Sequence, residues 1–215
     1  MLSPYGHNTL VKTILLCSIL AAAGLLSAGA LKTLLLAAAS GLFLFTLYFF
    51  RDPSRKPPPE PDAILAPADG RILLIKTIAH PFTGPDSTLV SIFMSPFNVH
   101  VNRLPVSGKV THLSYHPGKF LMAFDHSSMT DNERMEIGME ENRGTPILFI
   151  QVAGFIARRI VCGLQVGDTV QAGNRFGMIK FGSRLDIVIP DGVRLVVSEG
   201  QKTVAGETVI ARQNI

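Results

Sequence analysis

The stretch "KFGSRLDIVIP", Lys180–Pro190, combines a strand-like alternation of apolar residues with a Gly-Ser pair near its beginning. Such alternation is typical of a β-strand with one buried face. Glycine weakens a strand interior and usually marks a bulge or the close approach of another backbone segment. Two interpretations of Gly182–Ser183 follow. Either the pair forms a turn or bulge that needs small residues, or the bond between the two residues is the functional part of the stretch.

Short apolar runs of the same kind continue through residues 63–215, as in "RILLIKTIAH" and "STLVSIFMS", and Gly, Pro, Asp and Asn turn signals separate them. Glycine-anchored segments beginning at Gly167 and Gly200 form a weak internal repeat. They resemble the hairpins of lipoyl and biotinyl domains, although the Met-Lys-Met tripeptide of a carrier domain is absent. We therefore predict a mainly β fold, with a barrel-sandwich β domain.

The N-terminal part of the chain is strongly apolar. Between Leu10 and Phe50 the only charged residues are Lys12 and Lys32. A bilayer core of about 30 Å needs roughly 20 helical residues. Thr13–Leu31 and Thr33–Phe50 each come close to this length, and the run is divided at "SAGALK". A cleaved signal peptide would have a shorter apolar stretch, and a single tilted span would use only half of the run. We predict a membrane helical hairpin over residues 1–50, either spanning the bilayer or dipping into one leaflet.

A proline-rich stretch, "RDPSRKPPPEPD" at Arg51–Asp62, follows the apolar run and cannot continue a helix. We predict an anchoring segment at 1–50, a stiff linker at 51–62 and a β domain at 63–215. The basic residues Arg51, Arg55 and Lys56 follow the second apolar stretch, and the positive-inside rule then places both ends of the hairpin, and the β domain, on the cytoplasmic side of the cell (inner) membrane.

The formal net charge of +4 is spread too thinly for a nucleic-acid-binding surface, so an anionic membrane surface is the favoured partner. The two cysteines, Cys17 and Cys162, lie too far apart in sequence for a CxxC metal motif and are too few for a disulfide framework. No H-E-x-x-H or comparable metal-ligand spacing is present. Neither a nucleic-acid partner nor a metal centre is therefore predicted.

Three polar residues are candidates for chemistry. Asp69 lies in "PADG", which is by itself a turn signal, and His126 lies in the polar stretch "FDHSSMTDNERM", where a lone histidine is usually solvated. Ser183 follows Gly182 as described above. Taken singly, each residue has an ordinary structural explanation.

Taken in order, the motifs "PADG", "FNVHVNRLPVSGKV", "YHPGKF" and "VGDTVQAGNRFGMIKFGSRLD" resemble phosphatidylserine decarboxylase proenzymes, over about Pro67–Pro190. Phe-Gly-Ser-Arg stands here where the commoner motif of that family is Leu-Gly-Ser-Thr, which is similar to the short form of the family.

The resemblance implies a self-processing enzyme that converts phosphatidylserine to phosphatidylethanolamine and carbon dioxide. Cleavage between Gly182 and Ser183 would convert Ser183 into a covalent pyruvoyl cofactor, which forms a Schiff base with the substrate amine, and would leave a large and a small chain as a heterodimer. His126 would be the base that activates Ser183, and Asp69 would orient His126. His100 would contact the headgroup or deliver a proton, unless it is a strand histidine that faces solvent.

Three alternatives to this function stay open at the level of sequence. The substrate could be the diether lipid archaetidylserine, or a soluble amino acid decarboxylated by the same pyruvoyl chemistry. The third alternative, from another class, is a non-enzymatic β scaffold tethered to a membrane.

Overall fold

The computed structural model describes residues 1–119, 131–154, 160–180 and 183–213, with Ser183 described by its backbone only. The chain divides into two compact units, Met1–Pro53 and Ser54–Ile215. The first unit is helical and the second contains the described strands. The predicted mainly β fold with an N-terminal pair of apolar helices is thereby confirmed.

In the first unit, a short 3-10 turn (Pro4–Gly6) leads into α1 (His7–Leu26), and α2 (Gly29–Phe49) follows after two residues. The break lies at Ser27 and Ala28, so α1 begins and ends earlier than the predicted stretch at Thr13–Leu31. Gly29 has a φ of 58°, a left-handed conformation that glycine adopts without the steric cost of a Cβ atom.

The two ends of the helical unit are joined by backbone hydrogen bonds. The amide of Ser3 donates to the carbonyl of Phe50 (2.8 Å), and the amide of Asp52 donates to the carbonyl of Met1 (2.8 Å). Segments Pro4–Leu26 and Gly29–Phe49 have mean hydropathies of 2.1 and 1.8 and are long and apolar enough to cross a membrane. Large apolar side chains such as Leu15, Ile19 and Leu34 are exposed on their surface, which suits contact with lipid.

The second unit contains fourteen strands within the described residues, and their bounds are as follows: β1 (Ala63–Leu65), β2 (Gly70–His80), β3 (Gly84–Met94), β4 (Val101–Arg103), β5 (Gly108–His116), β6 (Arg134–Glu141), β7 (Pro146–Ala153), β8 (Ile160–Cys162), β9 (Thr169–Val170), β10 (Arg175–Ile179), β11 (Ser183–Ile189), β12 (Arg194–Leu195), β13 (Lys202–Thr203) and β14 (Val209–Arg212).

These strands form one eight-stranded sheet, in the order β13-β2-β3-β11-β7-β6-β5-β9, and two three-stranded sheets, β1-β14-β12 and β4-β10-β8. Each pairing in them is antiparallel. Register shifts in β2 and β5 mark bulges, which bend a sheet.

The main core lies on one face of the large sheet, and β11 shows why. Alternate residues of a strand point to opposite faces, and Leu185, Ile187 and Ile189 are all fully buried in the core. The intervening residues Arg184 and Asp186 point to the other face, where they are also buried. The alternation read from the sequence thus separates an apolar face from a face that carries buried charges.

Candidate functional site

Ser183 is the first residue of β11, and its backbone pairs with Met94 at the end of β3 and with Ala153 at the end of β7. On the far side of β3, β2 begins at Gly70, directly after Asp69, and Arg71 pairs with Phe93. Asp69 and Ser183 therefore lie at the same end of the sheet, with β3 between them. Since adjacent strands are spaced by about 4.8 Å, their backbones are on the order of 10 Å apart.

His100 reaches the same region from a different sheet. It directly precedes β4, in which Val101 pairs with Met178 of β10, and the chain continues from Lys180 towards Ser183. Its side chain is fully buried, so the alternative of a histidine facing solvent is wrong. His100 Nδ1 lies 3.0 Å from the carbonyl oxygen of Asn98. Because a carbonyl only accepts hydrogen bonds, Nδ1 is the donor in this contact.

The loop between β3 and β4 fixes the position of this imidazole. Asn98 Oδ1 accepts hydrogen bonds from both the amide and the hydroxyl of Ser95, each at 2.9 Å. The amide of Asn98 in turn donates to the carbonyl of Ser95 (2.9 Å). A tight turn therefore links the end of β3 to the carbonyl that orients His100.

The carboxylate of Asp69 accepts hydrogen bonds from Arg55 and from the amide of Ala205. Arg55 Nη2 lies 2.7 Å from Oδ2 and 3.0 Å from Oδ1, and the amide of Ala205 donates to Oδ1 at 2.8 Å. The side chains of Arg55 and Asp69 are both only 13% exposed, and Arg55 Nη1 also lies 3.6 Å from Glu207 Oε2. Asp69 is thus more than a turn former: it is a fixed, charge-compensated carboxylate.

Arg55 is a site residue that the sequence did not reveal. In the sequence, Arg55 belongs with Arg51 and Lys56 to a basic cluster after the apolar run. The structure instead places its guanidinium against Asp69 and Glu207 within the β unit. No periodic pattern or local motif connects it to Asp69, from which it is separated by fourteen positions in the chain.

His126 and Gly182 lie outside the described residues. The described residues that flank the stretch containing His126 belong to the same end of the sheet. The amide of Lys119 donates to the carbonyl of Asp131 (2.6 Å), and Asn132 Nδ2 donates to the carbonyl of Ala153 (2.7 Å), the strand partner of Ser183. Within the described ranges, no group of three or more His, Cys, Asp or Glu side chains could hold a metal ion.

The residue after Ser183 belongs to a buried ion pair. Arg184 Nε lies 2.9 Å from Asp186 Oδ1, and Arg184 Nη2 lies 3.0 Å from Oδ2. The side chains are only 2% and 4% exposed. Burial raises the pKa of Asp186 above its ordinary value, while the charges of Arg184 and Lys76 oppose this shift. Asp186 also lines a cavity of about 390 Å³ on this face of the sheet.

Comparison with known proteins bears directly on this arrangement. The family model described as "Phosphatidylserine decarboxylase" matches residues 42–211. The chain belongs to the phosphatidylserine decarboxylase family. A protein of Chlorobium phaeobacteroides (strain BS1) named phosphatidylserine decarboxylase proenzyme is 68% identical over 210 residues, which cover 98% of each chain.

Two further relatives bear the same name. That of Prosthecochloris aestuarii is 58% identical over 212 residues, covering 99% of this chain and 97% of its own. The relative of Chlorobaculum tepidum is 56% identical over 211 residues, which cover 98% of this chain and 97% of its own. Similarity to this family therefore extends over nearly the full chain, including the N-terminal helices.

We expect the Arg184–Asp186 pair to behave as a unit. Arg184→Met would leave the Asp186 carboxylate buried without its main cationic partner, and removing one partner of a buried pair costs about 3–5 kcal/mol. The double variant with Asp186→Leu as well should recover most of this loss, because no uncompensated charge remains. The measurement is the melting temperature of the purified protein, with Arg194→Met at an exposed position as the control. Equal melting temperatures for the single and double variants would contradict the prediction.

Proposed function

We propose that this protein is a self-processing, membrane-bound decarboxylase that converts phosphatidylserine to phosphatidylethanolamine and carbon dioxide. The observation that carries the proposal is the position of Ser183 at the start of a central strand, at the same end of the sheet as Asp69, in a chain that belongs to the phosphatidylserine decarboxylase family. The substrate class is that given in the names of the relatives.

Self-processing would start at the Ser183 hydroxyl. Attack of its oxygen on the Gly182 carbonyl carbon breaks the peptide C–N bond and gives an ester, with a free amine on residue 183. Removal of the α-proton then breaks the Cβ–O bond, which releases Gly182 as a carboxylate and leaves a dehydroalanine. Hydrolysis of this group loses ammonia and gives a pyruvoyl group at the new N-terminus. Glycine at position 182 suits the attack because no Cβ obstructs its carbonyl.

In this proposal His126 takes the proton from the Ser183 hydroxyl, and Asp69 orients His126, as in other activated serine nucleophiles. The contacts of Asp69 suit that role. A carboxylate held by Arg55 and by the amide of Ala205 keeps a fixed position and a compensated charge, so it can fix a partner without reorganising. His100 would contact the headgroup or deliver a proton through its buried imidazole.

The geometry of residue 183 fits a pyruvoyl group. When present, that group supplies the electron-accepting carbonyl that decarboxylation of an amino acid headgroup requires and that ordinary side chains lack. Backbone pairing with β3 and β7 on both sides would hold residue 183 at the sheet end after its bond to Gly182 is cut. Within the small chain, β11, β13 and β14 each pair with strands of the large chain, so the two chains would stay together as a heterodimer.

The apolar helices would anchor the protein in the cell (inner) membrane, with the β unit on the cytoplasmic side. Their length and hydropathy support the anchoring, and the basic residues that follow α2 support this orientation. The headgroup carboxylate to be removed lies just above the hydrocarbon, so an anchored enzyme meets its substrate at the interface.

The first prediction concerns the processed chains. The purified protein should contain a large chain ending at Gly182 and a small chain starting at residue 183 with a blocked, carbonyl-bearing N-terminus. Mass spectrometry after treatment with a carbonyl-reactive reagent measures both, alongside release of carbon dioxide from phosphatidylserine. Ser183→Ala should give one uncut, inactive chain, whereas Ser198→Ala at an exposed position should process normally. An active preparation that consists of one uncut chain would refute the proposal.

The second prediction concerns the residues that assist cleavage. His126→Ala should nearly abolish maturation, because an unassisted serine hydroxyl is a poor nucleophile. Asp69→Asn should slow it less completely. Arg55→Ala should slow it as well, since Asp69 loses its cationic partner, and Arg55→Lys should restore part of the rate.

The measurement is the rate of appearance of the small chain after synthesis in vitro. Lys56→Ala is the matched control, because its side chain is exposed next to Arg55. Normal processing of the His126 variant would remove that residue from the role. Equal rates for Arg55→Ala and the control would show that the ion pair does not assist Asp69.

The third prediction separates anchoring from processing. Deleting residues 1–50 should leave self-cleavage intact, because the reaction is intramolecular and Arg55 is retained. Turnover of phosphatidylserine in vesicles should fall much more than turnover of a dispersed short-chain analogue.

A longer deletion, of residues 1–56, should also slow cleavage because it removes Arg55. Equal turnover of both substrates by the first truncation would contradict a role in substrate delivery. Loss of cleavage after deletion of residues 1–50 would show that the β unit needs the hairpin in order to fold.

A further inference from the structure

A second cavity, of about 570 Å³, opens at the same end of the large sheet as Ser183. Asp69 and Arg71 line it at the start of β2, Phe93 and Ser95 line it at the end of β3, and Lys202 lines it from β13. Met94, the strand partner of Ser183, lies between Phe93 and Ser95. The cavity is therefore one strand spacing, about 5 Å, from the backbone of residue 183.

Two cations that line this cavity face each other across a pair of strands. Arg71 and Lys202 are directly opposite in the β2–β13 pair, and both side chains are exposed. Like charges at opposite positions destabilise a strand pair. Arg71 Nη1 donates to the carbonyl of Gly200 (2.7 Å), but neither cation forms a salt bridge with any described carboxylate.

Another pair of opposed cations in the β unit is arranged differently. Arg194 and Arg212 also face each other across two strands. There, however, Arg212 Nη2 lies 2.7 Å from Glu60 Oε2, so a carboxylate of the protein offsets the repulsion. Arg71 and Lys202 have no such salt bridge among the described residues, so an external anion could be bound between them.

We propose that this cavity binds the phosphodiester of the lipid headgroup, with Arg71 and Lys202 as its cationic ligands, an inference that rests on the proposed function. Only a few covalent bonds separate the phosphate from the amine and carboxylate of a phosphoserine headgroup. A phosphate subsite must therefore lie close to the group at residue 183, and the cavity satisfies this requirement. Arginine and lysine suit it because both donate charge-assisted hydrogen bonds to phosphate oxygens.

An apolar side chain beside the cavity favours a lipid over free phosphate as the source of the anion. Phe97 lies on the turn between the lining residues Ser95 and Asn98 and is 68% exposed. An exposed aromatic side chain next to cationic groups is the combination that binds a membrane interface, where the ring enters the acyl region and the cations meet the headgroups.

The test uses the full-length processed enzyme in detergent and measures kcat and KM for dispersed short-chain phosphatidylserine. Arg71→Ala and Lys202→Ala should each raise KM by about fivefold, and the double variant by about twentyfold, as expected for exposed ion pairs. The kcat values should change less, and self-cleavage should proceed as in the wild type. Arg194→Ala, which removes an exposed arginine elsewhere, is the matched control and should leave KM unchanged.

Competitive inhibition identifies the source of the phosphate. Glycerophosphoserine should inhibit the wild type, and the double variant should lose this inhibition by a similar factor. Phe97→Ala should lower turnover of phosphatidylserine in vesicles while leaving inhibition by glycerophosphoserine unchanged. If inorganic phosphate competed as well as glycerophosphoserine and lost inhibition in the same variants, the cavity would be a site for free phosphate and the inference would be wrong.

The inference and the proposed function fail in distinguishable ways. A wild-type KM in the double variant would overturn the inference and leave the decarboxylase activity standing. A wild-type enzyme that releases no carbon dioxide from phosphatidylserine would overturn the proposed function. In that case, direct calorimetric titration with glycerophosphoserine would still test the cavity, and equal binding by the wild type and the double variant would overturn it.

Discussion

The backbone pairing of β11 between β3 and β7 is the constraint on which the rest of the β unit depends. Strand pairing satisfies the amide and carbonyl groups of β11 on both sides, and these bonds do not require that the chain continue before Ser183. A central strand can therefore begin at a cut without leaving the sheet. The strands after it repeat this arrangement, since β13 pairs with β2 and β14 pairs with β1. A family in which one proenzyme is cut into two chains needs such a topology, because hydrogen bonds and buried apolar surface must replace the lost covalent connection.

The same strand also explains how charge is kept next to a hydrophobic core. Leu185 and Ile187 fill the core on one face, while Arg184 and Asp186 compensate each other on the opposite face. Burial of two charges is costly, and their attraction repays this cost only when the geometry is good. The hydrogen bond from Arg184 Nη2 to Asp186 Oδ2 at 3.0 Å meets that condition, whereas Nε and Oδ1, 2.9 Å apart, form an ion pair without hydrogen-bond geometry. Arg184 therefore contributes to the packing of the sheet. Arg71 and Lys202, which line the cavity of about 570 Å³, lie instead at the sheet edge.

The sequence predicted the parts of the structure that depend on local periodicity. Alternating stretches such as "RILLIKTIAH" and "STLVSIFMS" became β2 and β3, and the apolar run became two helices. The helix break at Ser27 and Ala28 falls within "SAGALK", the stretch that divides the two apolar runs, although α1 begins and ends earlier than Thr13–Leu31. The burial of His100 and the contact of Arg55 with Asp69 were not predicted, since both arise from tertiary packing between distant segments. The order of motifs makes Asp69 and Ser183 candidates, and the sheet order places both at the same end of the large sheet.

The proline-rich stretch after the helices does more than separate two units. Its residues from Ser54 onwards belong to the β unit, where Arg55 binds Asp69 and Glu60 binds Arg212. Prolines restrict the backbone, so a segment of this composition loses less conformational entropy when it is fixed on a surface. Within the described residues, Arg55 and Arg212 have carboxylate partners that tie this stretch to the β unit, whereas Arg71 and Lys202 line the cavity that we propose binds an anionic headgroup.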